Sequence, residues 1–204
     1  KDTFADYLCH NYKFEKYNLA KPIKEIAKIM FGWNDTMLEG NEKDIIDPNL
    51  GIKPRDFYTW FGTEICQFNL HQKFPELKIP HRSIWSLSMD KWIQSMVKND
   101  KQCRIIIPDV RFCHEVEVLK KYNTIFIHLE KDNKSNIGNN TANKSNNKYE
   151  LDKILENTTI SYNIKNNSTL DDYYLKIHNF IKHIILHEYN VTTYDLTNNY
   201  SLYI

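Results

Sequence analysis

Three short stretches of this chain carry residue types that bind phosphate or a divalent cation. The first is Lys1-Asp2-Thr3, which runs directly into an apolar stripe with the spacing of an amphipathic helix, so we expect it at a helix N-terminus. A lysine there opposes the positive end of the helix dipole, but an anion between them would reverse that effect. Backbone N–H groups and the ammonium would then converge on phosphate, as in the loop G-x-x-x-x-G-K-[ST]. On this interpretation the glycines and their strand would precede Lys1.

The second stretch is Asp109-Val110-Arg111, which ends the β-branched run RIIIPDV. A carboxylate at the end of a strand can organise Mg²⁺ through its waters, and a guanidinium can hold phosphate with two hydrogen bonds. The alternative is a helix that begins at Asp109 as its N-cap, with Arg111 in a salt bridge. The residues leave both interpretations open.

The third stretch is PRDFYTWFGTE, which contains Arg55, Gly62 and Thr63. Pro54 suits the first turn of a helix, where Arg55 would be free to reach an anion. A glycine inside a helix costs roughly 1 kcal/mol relative to alanine, so Gly62 indicates close approach of a ligand or another backbone. A reason of internal packing is equally compatible with it.

The surrounding pattern alternates strands with helices. Strands are predicted at 104–110, 124–130 and 158–164, with a weaker candidate at 13–18. Helices are predicted at 22–31, 54–70, 89–97, 113–122 and 170–187. Such alternation indicates an α/β fold, with a parallel sheet flanked by helices, in which ligands bind beyond the carboxyl ends of the strands.

The chain is predicted to form one domain over 1–187, followed by a tail at 188–204 to which we assign no role. Within the domain, residues 131–148 are polar and rich in asparagine, which is typical of a mobile loop. This loop is either a low-complexity insertion or a lid over a phosphate donor.

Composition excludes several classes of protein. The 204 residues include 41% hydrophobic and 26% charged positions and carry a net charge of +1, which indicates a globular protein and not a polybasic binder of nucleic acid or membrane. No apolar run approaches the roughly 18 residues needed to cross a bilayer. Four cysteines without C-x-x-C pairing indicate a reducing compartment, and the eight histidines form no metal-ligand pattern. We therefore expect a cytoplasmic protein without a nucleic-acid polymer or a membrane as partner.

Five motifs in order resemble the deoxynucleoside monophosphate kinases of phages and large DNA viruses. They are KDT at the start, LAKPIKE at 19–25, PRDFYTWFGTE at 54–64, PDVRFCHE at 108–115 and NNSTL at 166–170. The resemblance covers 1–182 and is weakest over 74–88. It implies a P-loop nucleoside monophosphate kinase-like fold whose first strand is missing from the chain.

The activity implied by this resemblance is transfer of phosphate from ATP to a deoxynucleoside 5′-monophosphate, with Mg²⁺ as cofactor. The location implied is the cytoplasm, or the virus factory of an infected cell, and a homodimer remains open. Two alternatives are a kinase of another small phosphorylated acceptor, such as phosphomevalonate, and a nucleotide-binding relative with impaired catalysis.

The resemblance also assigns roles by position. Catalysis would fall to Lys1, Asp109 and Arg111, and Mg²⁺ would bind through Asp2 and Asp109. The residues that would contact ATP are Lys1, Asp2, Thr3, Lys131 and Asn166. The residues that would contact the acceptor are Ala20, Lys24, Arg55, Gly62, Thr63, Trp92, Arg111 and Glu115.

Two positions depart from the family pattern. Thr59 stands where the family usually has glutamine, which affects recognition of the base. Lys131 stands where an arginine commonly follows the strand before the lid, and a lysine supplies charge without a planar fork. If an arginine stabilises the transition state, Arg111 or Arg55 would have to supply it.

Overall fold

The computed structural model describes residues 1–79, 83–130, 153–156, 162–167, 169–184 and 201–203. The chain divides into two compact units, which we call the sheet unit (Lys1–Tyr17 with Trp92–Ile204) and the helical unit (Asn18–Lys91). The predicted boundary at 187/188 and the polar segment at 131–148 lie outside the described residues. Among the described residues, no helix has both the length and the apolar character required to cross a bilayer.

The described helices are α1 Asp2–Tyr12, α2 Lys21–Phe31, α3 Asp35–Leu38, α4 Pro54–Trp60, α5 Leu70–Lys73, α6 Ile84–Asn99, α7 Cys113–Leu119, α8 at 153–156 and α9 Leu170–His183. A 3₁₀ helix spans Asn41–Asp44, and a π-helix spans Phe61–Asn69. The described strands are β1 Phe14–Lys16, β2 Arg104–Ile106, β3 Thr124–Glu130, β4 Tyr162–Lys165 and β5 Ser201–Tyr203.

Every pairing among the described strands of the sheet unit is parallel. β1 pairs with β2, and β3 pairs with both β4 and β5. β5 also contacts β2. The predicted α/β architecture with parallel strands is therefore confirmed, and β5 is a strand in a region to which the sequence assigned no role.

The bounds of β3 agree with the prediction, but β2 is shorter than predicted. β2 ends at Ile106 because a turn follows at Pro108 and Asp109, and proline has no N–H to extend a strand ladder. β4 covers the end of the strand predicted at 158–164, of which 158–161 lie outside the described residues.

Helix α1 packs against α9 and the sheet. Its apolar stripe buries Phe4, Ala5 and Leu8 in a core shared with strand and α9 side chains. The Tyr7 and Tyr174 rings stack with centroids 5.1 Å apart. Burial of this face, worth about 25 cal/mol per Å² of apolar surface, fixes where the start of α1 lies in the sheet unit.

The helical unit has its own aromatic core, made of Ala27, Trp33, Leu38 and Phe57. The Trp33 indole N–H donates to Asp47 Oδ2 at 2.6 Å. Asp47 Oδ1 accepts the backbone N–H of Asn49 at 2.8 Å, and that of Leu50 at 3.3 Å. One buried carboxylate thus joins the aromatic core to the turn that follows it.

The helix predicted at 54–70 is interrupted. It runs as α4, then as the π-helix, and then as α5. Near the change in winding, the Gly62 carbonyl accepts a hydrogen bond from the Trp85 indole N–H at 3.0 Å. π-Helical turns are rare and often accompany function, and periodicity alone does not distinguish them from α-helix.

Candidate functional site

Electrostatic interactions link four predicted site residues at the start of α1, in the loop after β2 and in the first turn of α7. They are Lys1, Asp109, Arg111 and Glu115, all in the sheet unit. Lys1 is the N-cap of α1, and its carbonyl accepts the Ala5 N–H at 3.0 Å, as the predicted helix start requires.

Electrostatic coupling reveals the proximity of Lys1 and Arg111. Partial desolvation lowers the pKa of the Lys1 ammonium, and the Arg111 guanidinium lowers it further. The carboxylates of Asp109 and Asp2 act in the opposite direction without cancelling the shift. Two cations held within each other's field form a place where an anion would relieve their repulsion.

Arg111 presents its side chain to solvent. Its guanidinium makes no hydrogen bond or ion pair with the residues that the structure describes. Phe112, and not Asp109, is the N-cap of α7. The alternative interpretation, an Asp109 N-cap with Arg111 in a salt bridge, is therefore wrong.

Glu115 is only 4% exposed, and its carboxylate faces the backbone of the preceding loop. Oε2 accepts the N–H of Arg111 at 2.7 Å and the N–H of Phe112 at 3.0 Å. Burial raises the pKa of Glu115 to about 7, although these two hydrogen bonds oppose the shift. The side chain predicted to contact substrate is thus engaged by the loop that carries Arg111.

Other predicted ATP-binding residues lie at element ends. Asp2 and Thr3 occupy the first turn of α1. Asn166 follows β4, and its N–H donates to the Glu130 carbonyl at 2.8 Å. Lys131 lies outside the described residues.

Trp92, predicted to lie beside the nucleoside, packs in the sheet unit against Tyr17, with ring centroids 4.9 Å apart. The residue is half-buried.

The predicted acceptor residues Ala20, Lys24, Arg55, Gly62 and Thr63 lie in the helical unit. Ala20 is the N-cap of α2. The Lys24 ammonium pairs with Glu39 Oε2 at 2.5 Å and lies 5.9 Å from the centre of the Tyr58 ring. The first of the two predicted acceptor cations is thus already paired with a carboxylate.

Arg55 is paired as well. It donates to both carboxylate oxygens of Asp44, which raises the pKa of the guanidinium and lowers that of the carboxyl group. Thr63 is half-buried in the π-helix. At Gly62, an added Cβ would come within 2.9 Å of Ile23 Cδ1, the flexible end of a side chain, so a larger residue there would require that side chain to move.

Lys16 is a charged neighbour that the sequence did not single out. It ends β1, pairs with Asp6 at 2.9 Å and further lowers the pKa of Lys1. Its position at the end of a predicted strand could have identified it as a candidate site residue. No group of three or more His, Cys, Asp or Glu side chains among the described residues is arranged to hold a metal ion.

Comparison with known proteins finds one significant curated relative. The chain is 27% identical over 135 residues to a protein of Acanthamoeba polyphaga mimivirus named "Putative deoxynucleotide monophosphate kinase", an alignment that covers 64% of this chain and 68% of the relative. No family model matches the chain. No solved structure matches it significantly.

Proposed function

We propose that this protein transfers phosphate from ATP to a deoxynucleoside 5′-monophosphate. The observation that carries the proposal is that Lys1 lies within the electrostatic field of Arg111 and Asp109, although more than a hundred residues separate them from it in the sequence. The name of the mimivirus relative supports the same activity.

The reaction requires that donor and acceptor be positioned, and it does not require a general base. The second pKa of a phosphate monoester is near 6, so at pH 7 the acceptor is mostly an ionised nucleophile. The barrier lies in bringing two anions into line, which preorganised cations lower. Lys1 and Arg111 would hold the phosphate groups between them, and the N–H groups at the start of α1 would add their dipoles.

Asp109 and Asp2 would bind Mg²⁺. Carboxylate oxygens are the ligands this ion prefers, and Mg²⁺ commonly takes only one or two of them together with waters and substrate phosphates. When bound, the ion neutralises charge on the transferring phosphoryl group. Asp109 lies within the field of Lys1, so its carboxylate also helps to keep that ammonium protonated.

On the acceptor side, we propose that Lys24 and Arg55 exchange their carboxylate partners for the monophosphate. Both pairs involve exposed carboxylates, Glu39 and Asp44, and water screens the attraction in pairs of this kind. A phosphate can therefore displace them at small cost. Ala20, Gly62 and Thr63 of the helical unit would also bind the acceptor, while Asn166 and Lys131 would bind ATP.

The test is an assay with ATP, Mg²⁺ and each of the deoxynucleoside monophosphates. We expect diphosphate formation with at least one of them, and loss of it in Lys1→Met. The exposed Lys120→Ala, which alters a lysine paired with Glu117 on the surface, is the matched control and should turn over normally.

Two results would overturn the proposal. Transfer to phosphomevalonate with no transfer to any deoxynucleoside monophosphate would assign the chain to another kinase. Binding of ATP without transfer to any acceptor would assign it to the nucleotide-binding relatives with impaired catalysis.

A further inference from the structure

Glu115 makes two hydrogen bonds that flank a single residue. Its Oε2 accepts the N–H of Arg111 and the N–H of Phe112. These N–H groups belong to the two successive peptide units on either side of the Arg111 Cα. Holding both units leaves the Arg111 backbone little freedom to rotate.

The burial of Glu115 argues against direct contact with a ligand. Only 4% of the residue is exposed, whereas Arg111 is open to solvent. A buried carboxylate is retained only where hydrogen bonds compensate for its lost hydration, and here the compensating donors belong to the loop. Neighbouring charges come from Asp109, which opposes ionisation of Glu115, and Arg111, which favours it.

We propose that Glu115 is a positioning residue that acts through Arg111, holding the backbone of the loop after β2 so that the exposed guanidinium is presented to an anion. The inference rests on the proposed function only in taking Arg111 as a phosphate-binding group. A purely structural helix cap would affect stability and leave the anion affinity of the folded protein unchanged. If Glu115 acted only through its charge, its replacement would have the opposite effect on affinity, because removal of a negative charge would tighten anion binding.

The experiment measures binding of pyrophosphate by calorimetry to variants whose fold is checked by circular dichroism. Glu115→Met keeps the volume and removes the acceptor oxygen, and we expect it to weaken binding about tenfold, the order of one charge-assisted hydrogen bond. Glu115→Gln keeps an acceptor without the charge and should stay within about twofold of the parent protein. Glu117→Gln, which removes an exposed charge from the same helix, should have no effect.

A double-mutant cycle tests the coupling. In an Arg111→Ala background, Glu115→Met should cause no further loss of pyrophosphate affinity, because the group that it positions is gone. If Glu115→Met does not fold, Glu115→Asp takes its place: it keeps the charge but is one methylene too short for the clamp, and we expect it to weaken binding as well.

Several outcomes would overturn the inference. One is equal pyrophosphate affinity of Glu115→Met and Glu115→Gln, and another is a tighter affinity of either variant than of the parent protein. If Glu115→Asp replaces Glu115→Met, an affinity equal to that of the parent would also overturn it. The last is a loss of affinity on Glu115→Met that is as large in the Arg111→Ala background as in the parent protein. Absence of pyrophosphate binding by the parent protein would also overturn it. Pyrophosphate binding without transfer to any deoxynucleoside monophosphate would instead contradict the proposed function and leave this inference intact.

Discussion

Each unit of the molecule contains a buried carboxylate that holds a turn, and the two carboxyl groups titrate in opposite directions. Asp47 in the helical unit accepts three N–H groups, and its pKa falls below the ordinary value, mainly through the Trp33 indole. Glu115 in the sheet unit accepts two, and burial raises its pKa to about 7. Hydrogen bonds stabilise the ionised form of Asp47, whereas burial destabilises the ionised form of Glu115.

The cations of the two units differ in the same way. Lys24 and Arg55 in the helical unit each have a carboxylate partner. Arg111 in the sheet unit has no ion pair among the described residues and lies within the field of Lys1. Unfavourable arrangements of this kind concentrate at functional sites, which is why the sheet unit is the better candidate for phosphate chemistry.

The largest effect is expected from Arg111→Ala. We expect turnover of a deoxynucleoside monophosphate to fall by about 10³-fold, the lower end for arginines that stabilise transferring phosphate. The fold should be kept because the side chain is exposed. Steady-state kinetics measures the effect, and a loss no greater than that of Lys120→Ala would remove Arg111 from the site.

Glu115→Gln should change how stability depends on pH. The unfolded chain loses the Glu115 proton near 4.5, whereas the folded chain keeps it to about 7, so a rise in pH between these values destabilises the parent protein. Glutamine does not titrate. At about 1.4 kcal/mol per pKa unit, the unfolding free energy of the variant relative to the parent should rise by about 3 kcal/mol across this window.

Urea unfolding at pH values on both sides of the window measures this change. A pH-independent difference between the variant and its parent would contradict the raised pKa. Glu117→Gln, at an exposed position, serves as the control.

Asp47→Asn should show the opposite dependence on pH. Because the pKa of Asp47 is lowered in the folded chain, its stabilisation is present above the unfolded value of 3.8 and is lost as the pH falls through the folded pKa. We therefore expect a lower urea midpoint for the variant at neutral pH, and convergence with the parent in acid. Equal midpoints at neutral pH would show that the contrast between the two carboxylates does not exist.

The smallest effect is expected from Arg55→Ala. Its pair with Asp44 is exposed, and a phosphate contact there replaces an existing ion pair, so the net change is small. We expect the KM for the acceptor to rise about two- to fivefold, with kcat nearly unchanged. A loss of kcat comparable to that of Arg111→Ala would show that the cations of the helical unit contribute to turnover as much as those of the sheet unit.

Much of the fold follows from local pattern. The stripe at Phe4, Ala5 and Leu8 predicted α1, and the apolar run at 124–130 predicted β3 to the residue. Pro54 marked the start of α4. The end of β2 and the π-helix were not predicted by the sequence pattern, because each depends on which backbone N–H and C=O groups form hydrogen bonds there.

The sequence therefore determined the elements of this protein, the position of Lys1 at a helix start and the residue types at the strand ends, because periodicity, caps and proline act over a few neighbouring residues. Tertiary structure alone decided that Lys1 lies within the field of Arg111, that Glu115 bonds the loop instead of facing outward, and that Lys24 and Arg55 are paired with carboxylates. Charges and hydrogen-bond donors act through space, and the distances between them are fixed only when the elements pack.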